Sequence, residues 1–192
     1  MNAMSTLPTP APMSPLLLLR DSDALDVPAI QAIYAHHVLH GTASFELEPP
    51  SFRQMQQRRQ DVLAHGLPYL VVEREGEVVG YAYATPYRPR PAYRFTVEDS
   101  VYVREGCAGQ GIGSMLLAGL IERCTAGGWR QMIAVAGDAS PASVGLHERH
   151  GFTLTGVLRD VGFKFGTWRH TALLQRPLGD GSATLPSDNP GQ

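Results

Sequence analysis

The sequence predicts one α/β domain, a mixed and mostly antiparallel sheet flanked by helices, and three stretches carry that prediction. Tyr69–Glu73 and Val78–Ala84 are β-branched and aromatic runs on either side of Glu75-Gly76, the pattern of a β-hairpin. Thr96–Val103 alternates as a strand and runs straight into a glycine-dense loop and an apolar helix. Met132–Ala136 is a short apolar run followed by a second helix start, which places a strand–helix–strand unit beside the hairpin.

Taken in order, Leu16–Arg20 lies between Pro15 and Asp21 and suits a short buried strand. Pro28 marks a first helical position, Ile30, Ile33, Tyr34, His37 and Val38 follow at helical spacing, and Gly41 closes the helix. Thr42–Glu46 reads as a short extended piece. Ser51 with Gln54 three residues on is a capping-box signal for a helix running to about His65. Tyr87–Pro91 holds two prolines and two arginines and reads as a loop. Met115, Leu116, Leu117, Leu120, Ile121 and Cys124 give the next helix an apolar face, ended by Gly127-Gly128. Ser140-Pro141 opens a short helix that stops near Gly151, and Phe152–Leu158 and Arg169–Arg176 complete the strands.

Composition narrows the function. The 192 residues carry a formal net charge of -2 and 43% hydrophobic residues, an ordinary soluble composition with no global field for nucleic acid or anionic membrane. The longest leucine run, Leu16–Leu19, is far short of a membrane span. Two cysteines, Cys107 and Cys124, make neither a disulfide framework nor a zinc set and suit a reducing cytoplasm. Residues 1–14 read as a flexible proline-rich leader, 15–178 as the folded domain and 179–192 as a disordered tail.

Four glycines lie between positions 106 and 113, directly ahead of the helix. Unshielded backbone N–H groups and the positive end of a helix dipole make that loop a seat for phosphate. A P-loop would need lysine after its last glycine, whereas Ile112 follows Gly111. A dinucleotide fingerprint would need a different glycine spacing and an acidic end to the next strand, which here ends in Ala136-Gly137. A coenzyme A pyrophosphate cradle is the third reading.

Resemblance bears on that choice. Val101-Tyr102-Val103, then Gly111-Ile112-Gly113-Ser114 and Leu117, then Leu146-His147-Glu148-Arg149-His150-Gly151-Phe152, resemble the GCN5-related N-acetyltransferase superfamily. The stretch Arg88–Val103 and the ending Gly162-Phe163-Lys164-Phe165-Gly166-Thr167-Trp168 resemble its phosphinothricin / methionine sulfoximine N-acetyltransferase family. The resemblance spans about 15–178 and implies that acetyl-CoA is the co-substrate, with no metal. It implies a small amino-acid-like amine as acceptor and a homodimer, while the charge balance argues for no nucleic-acid or membrane partner and the two thiols for a cytoplasmic location. Cofactor contacts fall on Val101, Tyr102, Val103, Ala108, Gly109, Gln110, Gly111, Ile112, Gly113, Ser114, Ser140 and Ser143. Ala108 and Gly109 stand where the superfamily loop carries basic side chains, and Ser140 where it carries Asn, so the cradle is expected to work through its backbone, with Arg104 as a distant cation.

Acetyl transfer to an amine needs a neutral amine, a stabilised oxyanion and a way to discharge the thiolate. On the resemblance Glu98 is the base; on spacing alone it is equally a strand-face glutamate in a salt bridge. His147 stands where the superfamily often has a tyrosine acid, and an imidazole can serve at neutral pH, although a lone histidine is often a helix-surface residue. Arg88, Arg90 and Tyr93 suit an anionic acceptor, since guanidinium groups match carboxylates and phosphinates bidentately, or are simply a solvated loop. Phe45 and Glu46 match a segment that lines the acceptor pocket; Phe45 fits the core as well. His36 and His40 have metal-pair spacing without a third ligand and read as a solvated helix face. Two other functions stay open: a sensor that binds acyl-CoA without turnover, and an acetyltransferase of another amine.

Overall fold

In a computed structural model, residues 16–186 and 190–191 are described, so the leader at 1–14 lies outside the described residues. Seven strands form one sheet: β1 (Leu17–Asp21), β2 (Tyr69–Arg74), β3 (Glu77–Pro86), β4 (Thr96–Val103), β5 (Gln131–Gly137), β6 (Thr153–Lys164) and β7 (Thr167–Pro177). Their order is β1-β2-β3-β4-β5-β7-β6, and only β4 and β5 run parallel. Helices α1 (Val27–His40) and α2 (Phe52–Ala64) pack on one face, and α3 (Ile112–Ala126) crosses β1 to β4 on the other, with α4 (Pro141–Arg149) beside β5 to β7.

Local chemistry sets these boundaries. Ser51 and Gln54 form the reciprocal capping box at the start of α2. Asp23 and Asp26 cap the short 3-10 turn before α1, and Arg20 holds Asp26 at 2.7 and 2.8 Å, so Pro28 sits second in the helix rather than first. Leu70, Val71 and Val72 of β2 are wholly buried because helices cover both faces of that strand. Leu116, Leu117, Leu120 and Cys124 turn the apolar face of α3 into the same core.

The last hairpin is longer than the sequence predicts: β6 runs to Lys164 and β7 starts at Thr167, turning through Phe165 (φ 54°) and Gly166 (φ 70°). The pairs Gly162–Arg169, Phe163–Trp168 and Lys164–Thr167 extend it beyond a bulge after Leu158. Most of β6 is solvent-exposed, so no buried face imposes an alternation that a sequence reading could detect. Thr42–Glu46 joins no strand ladder and forms a bent loop. In the C-terminal stretch, Arg130 donates to Thr184 Oγ1 (2.9 Å) and Leu185 O (3.1 Å).

Candidate active site

The parallel pair is where the sheet opens. β4 and β5 are in register only from Thr96–Gln131 to Asp99–Ala134, yet β4 continues to Val103 and β5 to Gly137. Beyond Asp99 each strand keeps its outer neighbour, β3 or β7, and loses the inner one. Backbone N–H and C=O groups at 100–103 and 135–137 therefore face a gap, and such groups require partners. A cavity of about 1030 Å³ fills this gap, large enough for an extended cofactor and a small acceptor together.

The glycine loop forms one wall. Gly111 is the N-cap of α3 at φ 81°, and no side chain caps the helix, so its first N–H groups stay free for a ligand. A Cβ at Gly111 would meet nothing within 4 Å; the left-handed backbone, rather than lack of room, is what calls for glycine. Ala108, Gly109, Gly111, Gly113 and Ser114 line the cavity, as do Val101, Tyr102, Val103, Ser140 and Ser143. Ile112 instead points into the core, 1% exposed. Gln110 turns back to Gly106 O at 3.1 Å and accepts from Arg74. Arg104 pairs with Glu77 at 2.9 Å, whereas Arg149, unremarked in the sequence, lines the cavity. Ser140 is the N-cap of α4 without a side-chain capping bond.

Strand alternation sorts β4 onto two sides. Tyr102 meets Tyr34 and His37 of α1 at ring-centroid distances of 5.1 and 5.4 Å, so Glu98, of the same parity, belongs to the α1 side. Asp99 has the other parity and meets His147 of α4. Phe45 and Glu98 line the cavity. Gly162 of β6 brings that strand against Phe45 so closely that a Cβ there would overlap the ring. Lys164, also on β6, donates to Ser44 O at 2.6 Å and fixes the same loop. Glu46 pairs with Arg58 at 2.8 Å outside the cavity. Arg88, Arg90 and Tyr93 are exposed and do not line it; Arg88 lies over Tyr87, 4.6 Å from its centroid, and Tyr87 packs edge-on against Tyr93. His36 Nδ1 lies 3.3 Å from Glu105 Oε2, away from that cavity wall.

The two titratable groups expected to do the chemistry are both perturbed. Burial pushes the Glu98 carboxyl above its usual range, the neighbouring charge of Asp99 adds to this, and Arg88 opposes it. That makes Glu98 a stronger base than an exposed glutamate while Arg88 keeps it ionisable. For His147 burial favours the neutral ring, but the hydrogen bond and charge of Asp99, with the Ser143 carbonyl, prevail and raise it. His37 donates from Nε2 to Val103 O at 2.8 Å and so ties α1 to the unpaired end of β4.

Residues 32–152 match the sequence model of the acetyltransferase (GNAT) family. The chain belongs to the GNAT family. It is 60% identical over 162 residues to a phosphinothricin N-acetyltransferase of Alcaligenes faecalis, covering 84% of this chain and 82% of that one. It is 40% identical over 161 residues to an L-methionine sulfoximine/L-methionine sulfone acetyltransferase of Pseudomonas aeruginosa, covering 83% and 94%. Its fold superposes with a TM-score of 0.89 on a phosphinothricin acetyltransferase of Sinorhizobium meliloti in complex with AcCoA, at 48% identity over 91% of this chain and 95% of that one. The open parallel pair and the glycine loop thus lie within the fold of an acetyltransferase family.

Sequence reading missed Asp99. Its signal was a second acid beside Glu98 in an alternating strand, and period-two geometry puts neighbours on opposite faces. His37 and Lys164 were missed because each acts on a backbone carbonyl of a segment distant in sequence, Val103 or Ser44.

Proposed function

We propose that the protein transfers the acetyl group of acetyl-CoA directly to the α-amine of a small amino-acid-like acceptor of the phosphinothricin, methionine sulfoximine or methionine sulfone type. The observation that carries the reading is a single cavity through the splayed β4–β5 pair. It joins the uncapped glycine loop and His147 to Phe45 and Glu98. The names of the relatives supply the acceptor class.

The cavity fits the co-substrate. N–H groups at Gly109–Ser114 would hold the pyrophosphate, with the Ser114 hydroxyl and Arg149 beside them, and the backbone edge of Val101–Val103 that β5 leaves unpaired would hold the pantetheine arm, Val103 O also accepting from His37. Acetyl-CoA supplies an activated thioester. Glu98 takes a proton from the acceptor ammonium, directly or through one water, a backbone N–H of β4 stabilises the oxyanion, and His147 protonates the leaving sulfur. The Arg88–Tyr93 loop would supply cations for the acceptor's anionic end from outside the cavity.

The active form is a homodimer in the cytoplasm. On the β6–β7 hairpin Phe163 and Trp168 are 57% and 60% exposed, beside Val157, Val161 and Phe165, an apolar patch along an edge strand. Among the described residues no helix is long and apolar enough to cross a membrane. The reading is tested by incubating the protein with acetyl-CoA and each of the three acceptors. Mass spectrometry should find the α-N-acetyl product with at least one of them. Acetyl-CoA binding with no product from any would leave a sensor, and product only from protein or aminoglycoside amines would move the acceptor class.

A further inference from the structure

Ser114 lies in the first turn of α3, and its Oγ is 2.7 Å from Nε2 of His150, the C-cap of α4. Ser114 lines the cavity at the glycine loop; His150 stands outside that lining and is only partly buried, so solvent can supply its ring with protons. The bond between them has two senses. A hydroxyl has one proton to give and two lone pairs to offer, and a neutral imidazole carries a single N–H. With the ring proton on Nδ1, Nε2 accepts from Ser114, and the hydroxyl proton is spent on the ring. With a proton on Nε2, the ring donates to Oγ and the hydroxyl proton is free to turn to the cavity. A pyrophosphate is anionic and can only accept, so the second sense alone gives it the Ser114 hydrogen bond.

Resting on the reading of acetyl-CoA as co-substrate, we propose that His150 is a positioning residue for the cofactor cradle: on CoA binding its ring takes a proton from solvent, donates from Nε2 to Ser114 Oγ, and so turns the Ser114 hydroxyl onto the pyrophosphate. The N–H bond formed is the second on the ring, which becomes an imidazolium beside the anion.

The surroundings of the ring fit an event tied to binding. Burial foremost, then Arg176 of β7 with His147 and Arg149 of α4, hold His150 below its usual range, so the ring is neutral at pH 7 in the free protein. Arg176 also donates to the His150 carbonyl and ties the end of α4 to β7, while α3 contributes the uncharged Ser114. Arg149 lines the cavity, so a bound pyrophosphate offsets the very charge that opposes protonation of the ring. Binding therefore raises the pKa of His150, and by linkage protonation tightens binding. Affinity is highest below the ring's pKa in the free protein, falls as pH rises through it, and levels off above the raised value in the complex.

The test is calorimetric titration of the full-length protein with CoA, in buffers of different ionisation enthalpy. The 3′-phosphate of CoA titrates in the same range, so the share of the ring is the difference between native protein and His150→Gln. Glutamine keeps an N–H donor for Ser114 but cannot titrate. At about pH 6.5, the ordinary histidine value, the native protein should take up about 0.3–0.8 proton more per CoA than His150→Gln. The ratio of the native Kd to the His150→Gln Kd should rise about 3- to 10-fold between about pH 5.5 and 8. In a Ser114→Ala background that ratio should change by less than about twofold, because the hydroxyl that carries the coupling is gone. 15N NMR, with the His150 signals assigned by their loss in His150→Gln, should show both ring nitrogens protonated in the complex at pH 6. A ratio constant across pH, a ratio that rises equally without the Ser114 hydroxyl, or an unprotonated Nε2 in the complex would overturn the proposal. Absence of CoA binding in the native protein would bring down the co-substrate reading and this inference with it. Binding with the pH dependence described but no acetylated acceptor would remove the acetyl transfer alone.

Discussion

At the scale of single residues, one strand of the site carries two adjacent carboxylates on opposite sides. Glu98 and Asp99 are sequence neighbours, and the period-two geometry of β4 sends one carboxylate to the α1 side and the other to α4. Removing the base should lower kcat far more than cofactor affinity: Glu98→Gln is expected to cost about 10²- to 10⁴-fold in kcat, with the KM for acetyl-CoA nearly constant, in steady-state assays. Glu98 must be ionised to act, so activity falls as pH drops through its raised pKa. Arg88 opposes that rise, so Arg88→Ala should move the acidic limb of the profile to higher pH. A limb that stayed in place would separate Arg88 from Glu98. Motif context in the sequence singled out Glu98 and His147, and both line the cavity. Asp99 was not singled out, because its importance lies in a partner 48 residues away.

At the scale of elements, the glycine loop is the feature the sequence conveyed best. Glycine density followed by an apolar helix start implied free N–H groups, and α3 does begin without a side-chain cap. The loop's weakness in basic side chains, Ala108 and Gly109, was also readable, but the cavity-lining Arg149 on α4 was not, since a helix in isolation does not reveal which neighbour it faces. Gly111 provides a direct check. At φ 81° a valine there would be strained by about 1–2 kcal/mol, and with open space around it no clash adds to this. Gly111→Val should therefore lower Tm modestly in calorimetry while raising the KM for acetyl-CoA more than about tenfold, by turning the cradle's N–H groups. An unchanged KM would remove the loop from the cofactor seat.

At the scale of the whole molecule, periodicity fixed the layers well where strands are buried and poorly where they are not. β2 and the core face of α3 were plain because burial imposes apolar runs at known periods. The outer half of the β6–β7 hairpin was not, because its side chains meet solvent in the single chain and follow no such pattern. The same exposure is where the proposed dimer would form its interface, and Gly162 and Lys164 anchor that hairpin to the Ser44–Phe45 loop of the cavity. A charge in the patch should break the dimer and loosen that loop: Phe163→Glu is expected to sediment as a monomer, with an acceptor KM raised about tenfold. A variant that remained dimeric would put the interface elsewhere.

The central claim is that donor and acceptor occupy the opened sheet together and that the acetyl group passes between them in one step. The most direct measurement is initial-rate thiol release with acetyl-CoA and methionine sulfone varied against each other. Intersecting double-reciprocal lines, with no acetyl group retained by the protein when acceptor is omitted, are predicted. Parallel lines together with an isolable acetyl-protein would contradict it.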